Sequence, residues 1–187
     1  MREIRDLDHA RRWGVARFLN EQSVAEHSYF VVVYCSWIWK ALGHQVQNIC
    51  FGELLDYAAF HDVGEQFTTD IPGPVKRAVV DLVKLKAYER AGIIERYGNF
   101  VPVEAPNSLV AAIVKLADLM DECTYLIGEE RLGNTTVGNL YLASKSRLDA
   151  ALIALDTHFS FTAMAGVRNL VDQVLHSERH ERSKQPR

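Results

Sequence analysis

Ser23-Val24-Ala25-Glu26-His27-Ser28-Tyr29-Phe30-Val31-Val32-Val33-Tyr34-Cys35-Ser36-Trp37-Ile38-Trp39-Lys40-Ala41-Leu42 admits two readings. The run Val31-Val32-Val33-Tyr34 is strand-like by propensity, since β-branched and aromatic side chains suit a pleated surface. Its beginning points the other way. Ser23 followed by Glu26 is a capping box, in which the hydroxyl and the carboxylate satisfy reciprocal backbone amides left unpaired by a helix's first turn. With the apolar stretch continuing through Trp39 and Leu42, the box favours a buried helix, and His27 falls just inside its start.

Outward from this helix the same periodicity recurs. Segments 24 to 42, 49 to 62, 75 to 97, 108 to 129, 138 to 158 and 162 to 178 carry apolar residues at mixed three- and four-residue spacings, the pattern of helices packed against one another. Gly43, Gly64, Pro72-Gly73-Pro74, Gly98, Pro102, Pro106, Gly128 and Gly133 fall between or at the ends of these segments, where chains turn. The chain is therefore expected to be all-α, one domain over residues 1–178, with 179–187 a polar, mobile tail. Ser108 is expected to cap the fourth segment, whose stripe Val110, Ile113, Val114, Ala117 and Met120 carries Asp118 beside it, pointing inward.

Composition narrows the function. A chain of 187 residues buries roughly 70% of its unfolded surface without staples, so a metal here would serve chemistry. The formal charge of −3 disfavours a nucleic-acid polymer or an anionic membrane as partner. Cys35, Cys50 and Cys123, odd in number and each among apolar residues, read as reduced core thiols of a cytoplasmic protein. Met1-Arg2-Glu3-Ile4-Arg5-Asp6 places charges where a signal peptide needs an apolar stretch, and no run reaches the roughly 18 residues of a bilayer span. Trp37, Trp39, Tyr34 and Phe30 are read as core or subunit contact, Glu129-Glu130-Arg131 as a solvated charge run, and Tyr125, Tyr141 and Leu142 as surface for self-association.

The chemistry-bearing residues are His27, the adjacent pair His61-Asp62, and Asp118, each on or at the end of a different apolar segment. Two imidazoles and two carboxylates suit one catalytic divalent ion, with zinc, cobalt, manganese and iron all admissible. Residues 61 and 62 stand about 100° apart on a helix, so they can flank one ion only at a helix end, which Gly64 supports. Glu65, four residues after His61, shares that side and is the candidate general acid/base. His9, His44, His158, His176 and His180 lack such company and read as satisfied core side chains. Lys76, after the restricting prolines, and Lys115, three residues before Asp118, could each bring a charge to a phosphate. Arg12 and Trp13 are an apt pair, a guanidinium fork for phosphate and an indole face for a base or sugar.

The ordered set Arg12-Trp13, Ser23-Val24-Ala25-Glu26-His27-Ser28, His61-Asp62-Val63-Gly64-Glu65, Thr69-Asp70-Ile71-Pro72 with Pro74-Val75-Lys76, and Ala117-Asp118 resembles the HD-domain 5′-deoxynucleotidases over roughly residues 9 to 125. The resemblance implies an HD-domain helical bundle that removes phosphate from 2′-deoxynucleoside 5′-phosphates by attack of metal-activated water. It implies His27, His61, Asp62 and Asp118 as metal ligands, Glu65 as proton-transfer group, and Arg12, Trp13, Asp70, Lys76 and Lys115 as substrate contacts. Trp13 would exclude a 2′-hydroxyl, Asp70 would accept the sugar 3′-hydroxyl, and the protein would form a homo-oligomer, a dimer or hexamer. A phage branch of the same family hydrolyses deoxyadenosine triphosphate; this is the first alternative, and there Mg or Mn could join the substrate. The second is a non-catalytic helical metal- or nucleotide-binding protein.

Overall fold

In the computed structural model, described over residues 4–13, 17–46, 49–69, 71, 76, 78 and 80–180, the helical periodicity is realised. The helices are α1 (Val24–Leu42), α2 (Phe51–Phe60), α3 (Glu65–Thr68), α4 (Leu82–Tyr97), α5 (Ser108–Arg131), α6 (Gly138–Asp156) and α7 (Phe161–His180), joined in part by short 3-10 turns. Among the described residues there is no β-strand, only an antiparallel bridge between Arg11 and Ser23. The valine run therefore lies in a helix, because the capping box forms: Glu26 N donates to Ser23 Oγ at 3.2 Å and Ser23 N to Glu26 Oε2 at 2.8 Å. The helix stops at Gly43, whose φ of +60° is open to glycine at little cost.

Helix α1 packs against α2, α5 and α7, and α5 lies between α1 and α6. Val31, Cys35, Ile38, Ile113, Leu116, Met120 and Leu148 fill the space between them. Each such side chain, removed from water, contributes roughly 1.5–3 kcal/mol. A smaller apolar cluster of Leu7, Val24, Val63, Ile93 and Val101 lies apart from this core. It matters for function, because Val63 follows Asp62 directly and its burial anchors the turn that carries the His61-Asp62 pair.

Several local expectations change. Asn107, not Ser108, caps α5, its side chain accepting from Leu109 N at 3.0 Å and Val110 N at 2.9 Å, since Asn107 keeps the extended backbone of a cap while Ser108 is already helical. The segment 75–97 is interrupted, and α4 starts only after Asp81, which caps it. Cys50 is exposed at the start of α2, whereas Cys35 and Cys123 are buried with their thiols pushed up to about 12 by desolvation. His9, His158 and His176 are exposed rather than core residues. Glu129 is no solvated charge. It is buried and accepts hydrogen bonds from Leu19 N and Asn20 N at 2.7 Å and from Asn134 Nδ2 at 2.8 Å. Trp37 and Phe30 are partly exposed on α1, Tyr34 is buried, and Leu142 is exposed on α6. Asp70, Pro72-Gly73-Pro74 and residues 181–187 lie outside the described residues.

Candidate active site

Three separated pieces of chain converge at one end of α1. His27 projects from the first turn of α1, held there by the capping box, and is fully buried. Helix α2 ends at Phe60, so His61 is its C-cap and Asp62 begins the turn to α3. Gly64, expected to mark a helix end, does lie just past the end of α2, with φ −59° and ψ −26°, a backbone that any residue adopts. A glycine is needed there for a different reason: a Cβ would lie 2.9 Å from the Cβ of Glu89, so its absence lets α4 close against the turn. Asp118 arrives from the middle of α5.

His27, His61 and Asp62 each bring a ligand atom to within 4.8 Å of the others, and Asp118 joins them at His27. His27 Nε2 lies 3.5 Å from Asp62 Oδ2 and 3.4 Å from Asp118 Oδ1, and His61 Nε2 lies 3.4 Å from Asp62 Oδ2. Both Nε2 atoms are buried with no hydrogen-bond partner among the described residues. The tautomer of His61 follows from its other nitrogen, which lies 2.8 Å from the carbonyl oxygen of Ala58. A carbonyl only accepts, so Nδ1 carries the proton and Nε2 presents its lone pair. A buried imidazole lone pair beside carboxylate oxygens is costly unless a cation or a proton sits between them. Four-coordinate bonds of 2.0–2.1 Å imply neighbouring ligand atoms about 3.3 Å apart, close to the spacing seen here. His27, His61 and Asp62 alone already form a compact metal-capable group, and the donor set fits a divalent transition ion.

The electrostatics agree with this geometry. Burial alone would push Asp62 and Asp118 up, but their cationic neighbours, His61, His27 and Arg12 for the first and Lys115, His27 and Arg12 for the second, hold both carboxyls below the usual range. Desolvation and Arg12 oppose protonation of His27, yet the hydrogen bond to Asp121 and the nearby carboxylates of Asp62 and Asp118 win and raise it. Arg12 is raised despite its own burial because Asp118, Asp62, Asp121 and Glu65 surround it.

A cleft of about 380 Å³ opens on this cluster, lined by Tyr57, His61, Glu65, Lys76, Lys115 and Asp118 among others. Its size sits at the lower end of the range for small-molecule sites. Glu65 is buried in the first turn of α3, where its Oε1 lies 3.9 Å from Lys76 Nζ. Lys115 is half-exposed and bonds Asp118 Oδ2 at 2.6 Å. Lys86, from α4, also lines the cleft and had no signal in the sequence that marked it. Arg12 sits within the cluster rather than on the described cleft wall, 3.8 Å from Asp118 Oδ1 and 3.6 Å from Asp121 Oδ2. Trp13 stacks on Tyr125, with ring centroids 5.9 Å apart and planes inclined by 12°, and also packs on Phe18. Its φ of +67° is a left-handed backbone that a tryptophan adopts only under constraint. Sequence reasoning missed Asp121, which lies 2.6 Å from His27 Nδ1. Its spacing of three from Asp118 on a buried stripe could have revealed it.

The sequence model of the 5′-deoxynucleotidase YfbR-like family matches residues 1–163. The chain belongs to this family. Among relatives, a 5′-deoxynucleotidase of Vibrio cholerae is 29% identical over 161 residues, covering 76% of this chain and 78% of that protein. A dATP triphosphohydrolase of Acinetobacter phage SH-Ab 15497 is 31% identical over 149 residues, covering 68% and 69% respectively. In structure, an HD-domain phosphohydrolase from Listeria innocua aligns with a TM-score of 0.74 at 22% identity, over 96% of this chain and 89% of that one. The Cyanophage S-2L HD phosphohydrolase bound to dA and one catalytic Zn2+ ion aligns at 0.70 and 18% identity, over 93% and 95%. The fold is the all-helical HD-domain fold, and as a family member the chain is a hydrolase acting on deoxynucleotides, so the non-catalytic alternative falls away. No helix among the described residues is long and apolar enough to cross a membrane.

Proposed function

We propose that the protein removes phosphate from 2′-deoxynucleoside 5′-phosphates in a metal-dependent hydrolysis, with His27, His61, Asp62 and Asp118 as the ligands. The observation that carries this reading is the pair of buried, unpartnered imidazole Nε2 atoms facing two carboxylates across 3.4–3.5 Å. A divalent ion bound there supplies Lewis acidity toward a phosphoryl oxygen and lowers the pKa of water from 15.7 toward about 7.

The remaining roles belong to side chains. Glu65, buried on the same cleft as His61 and Asp118, takes and returns the proton exchanged in hydrolysis. Lys76 and Lys115 offer ammonium groups to the phosphate. Each is paired with a carboxylate of the site, and an incoming phosphate would share those charges. Arg12 supplies a permanent charge beside Asp118, which keeps the carboxylates ionised and adds attraction for an anion at the cluster. Trp13, fixed in its stack, is the residue assigned to discriminate deoxyribose from ribose, and Asp70 is assigned to the sugar 3′-hydroxyl. Self-association and a cytoplasmic location are parts of the same reading.

One observation favours a second reading. Lys76, Lys86 and Lys115 all line the cleft, more cationic groups than one phosphate requires, and a relative at 31% identity is a dATP triphosphohydrolase. Incubation with dAMP, dATP and dGTP separately, with identification of the released fragment, distinguishes the two: inorganic phosphate from the monophosphate, or triphosphate from dATP. His61→Ala, Asp118→Ala and Glu65→Ala should each reduce the rate by at least 100-fold, near the lower bound for a positioned acid or base. Undiminished activity in all three would remove the assignment.

A further inference from the structure

We propose that Asp121 is a positioning residue for His27: its carboxylate accepts a hydrogen bond from Nδ1–H, leaving the Nε2 lone pair aimed at the metal, and Gln22 holds that carboxylate in place. The proposal rests on the ligand set named above. Neutral imidazole has one N–H and one lone pair, and which nitrogen carries the proton is decided by its neighbours. His27 Nδ1 has two, and they ask for opposite things. Asp121 Oδ2, 2.6 Å away, can only accept, whereas the Arg12 Nη1 in contact with the same nitrogen can only donate.

The other partners of each decide between them. Asp121 is 3% exposed, and besides His27 its Oδ2 receives the Gln22 amide at 2.9 Å, with Arg12 Nη1 farther off at 3.6 Å. Losing the imidazole proton would leave a buried carboxylate with one short donor, a costly state. Arg12 loses little by comparison, since Asp118 Oδ1 lies 3.8 Å from its other terminal nitrogen and Asp121 remains beside it. The proton therefore sits on Nδ1, between ring and carboxylate. The two imidazoles then differ in their backing, His61 by the backbone carbonyl of Ala58 and His27 by an anion. An anionic partner makes His27 the more basic ligand.

The chain achieves this compactly. Asp118 and Asp121 are one turn apart on α5, so one helix presents both a proposed ligand and the brace of another. Gln22 immediately precedes the cap residue Ser23, so the segment that starts α1 also fixes the brace. The neighbouring Glu122 offers a control. It is also a buried carboxylate, but it faces Ser144 Oγ at 2.7 Å and Arg147 on α6.

The test is zinc affinity of the full chain, by competition with a chromophoric chelator, together with the visible spectrum of the cobalt-loaded form. Asp121→Asn should fold, as judged by circular dichroism, yet bind zinc 10- to 100-fold more weakly with an altered cobalt spectrum. Glu122→Gln should keep the wild-type constant. A folded Asp121→Asn with unchanged affinity and spectrum overturns the proposal, as does an equal loss in Glu122→Gln. If Asp121→Asn does not fold, Gln22→Ala decides: several-fold weaker zinc supports the brace, and an unchanged constant overturns it. Wild-type protein that takes up no ion overturns this proposal together with the ligand assignment. Weakened binding in His61→Ala with none in Asp121→Asn overturns only the brace.

Discussion

Replacing Glu129 by alanine tests whether a buried carboxylate on α5 holds the segment 17–20. Three donors converge on it, Leu19 N and Asn20 N at 2.7 Å and Asn134 Nδ2 at 2.8 Å, and Asn134 Nδ2 also reaches Arg17 O at 2.9 Å. Hydrogen bonds to a charged acceptor contribute about 1.5–3 kcal/mol each, but the Leu19 side chain is exposed, so water can reclaim part of that loss. The expected destabilisation is therefore about 3 kcal/mol, between one bond and the sum of three. For a chain of this length that corresponds to a fall in melting temperature of roughly 6–12 °C. Glu129→Gln should lose nearly as much, because the new amide NH2 faces donors. Urea unfolding followed by tryptophan fluorescence measures the loss, and trypsin cleavage after Arg17 should accelerate in parallel. Glu104→Ala is the reference: this glutamate pairs with Arg90 at an exposed position and should cost less than about 1 kcal/mol. If Glu129→Ala is no less stable than Glu104→Ala, the carboxylate does not hold the segment and the reasoning is wrong.

Chelation should abolish hydrolysis and lower the melting temperature. At an ion concentration 1,000-fold above Kd the bound form gains about 4 kcal/mol, so removal should cost roughly 8–16 °C, read by differential scanning fluorimetry. Gly64→Ala places a methyl group 2.9 Å from Glu89 Cβ and should destabilise by about 1–3 kcal/mol while slowing hydrolysis, measured by unfolding and phosphate release. Iodoacetamide at pH 8 should label Cys50 alone in the native protein and all three cysteines after denaturation, counted by mass. The folded thiols of Cys35 and Cys123 ionise only near 12, above their ordinary value of 9.0. Their contribution to stability is thus fully present below about pH 9 and is lost as pH rises from there toward 12, which alkaline unfolding curves should show.

What could be read from the sequence was whatever depends on near neighbours. The capping box Ser23 to Glu26 decided α1 against the strand propensity of its valines, because both partners lie within one turn. The HD pair at a helix end followed from adjacency and helical geometry, and His61 is indeed the C-cap of α2. What escaped was fixed by partners far along the chain. Glu129 looked like one of a charged run because its donors are backbone amides at Leu19 and Asn20, and backbone N–H groups leave no mark in a sequence. Gly64 marked the helix end that is found, but the contact that demands a glycine comes from Glu89 on another helix. Asp121 is the intermediate case. Its spacing from Asp118 would place it on the inward face, but its purpose requires knowing that His27 meets that face, a contact across ninety-odd residues. Along one side of α5 the order Asp118, Asp121, Tyr125, Glu129 runs from the His27–Asp62 cluster through the Arg12 contacts and the Trp13 stack to the anchor of residues 19 and 20. Spacings of three, four and four are those of a single helical face, so an acidic and aromatic stripe on an otherwise buried helix is the signal that would have linked the N-terminal segment to the site.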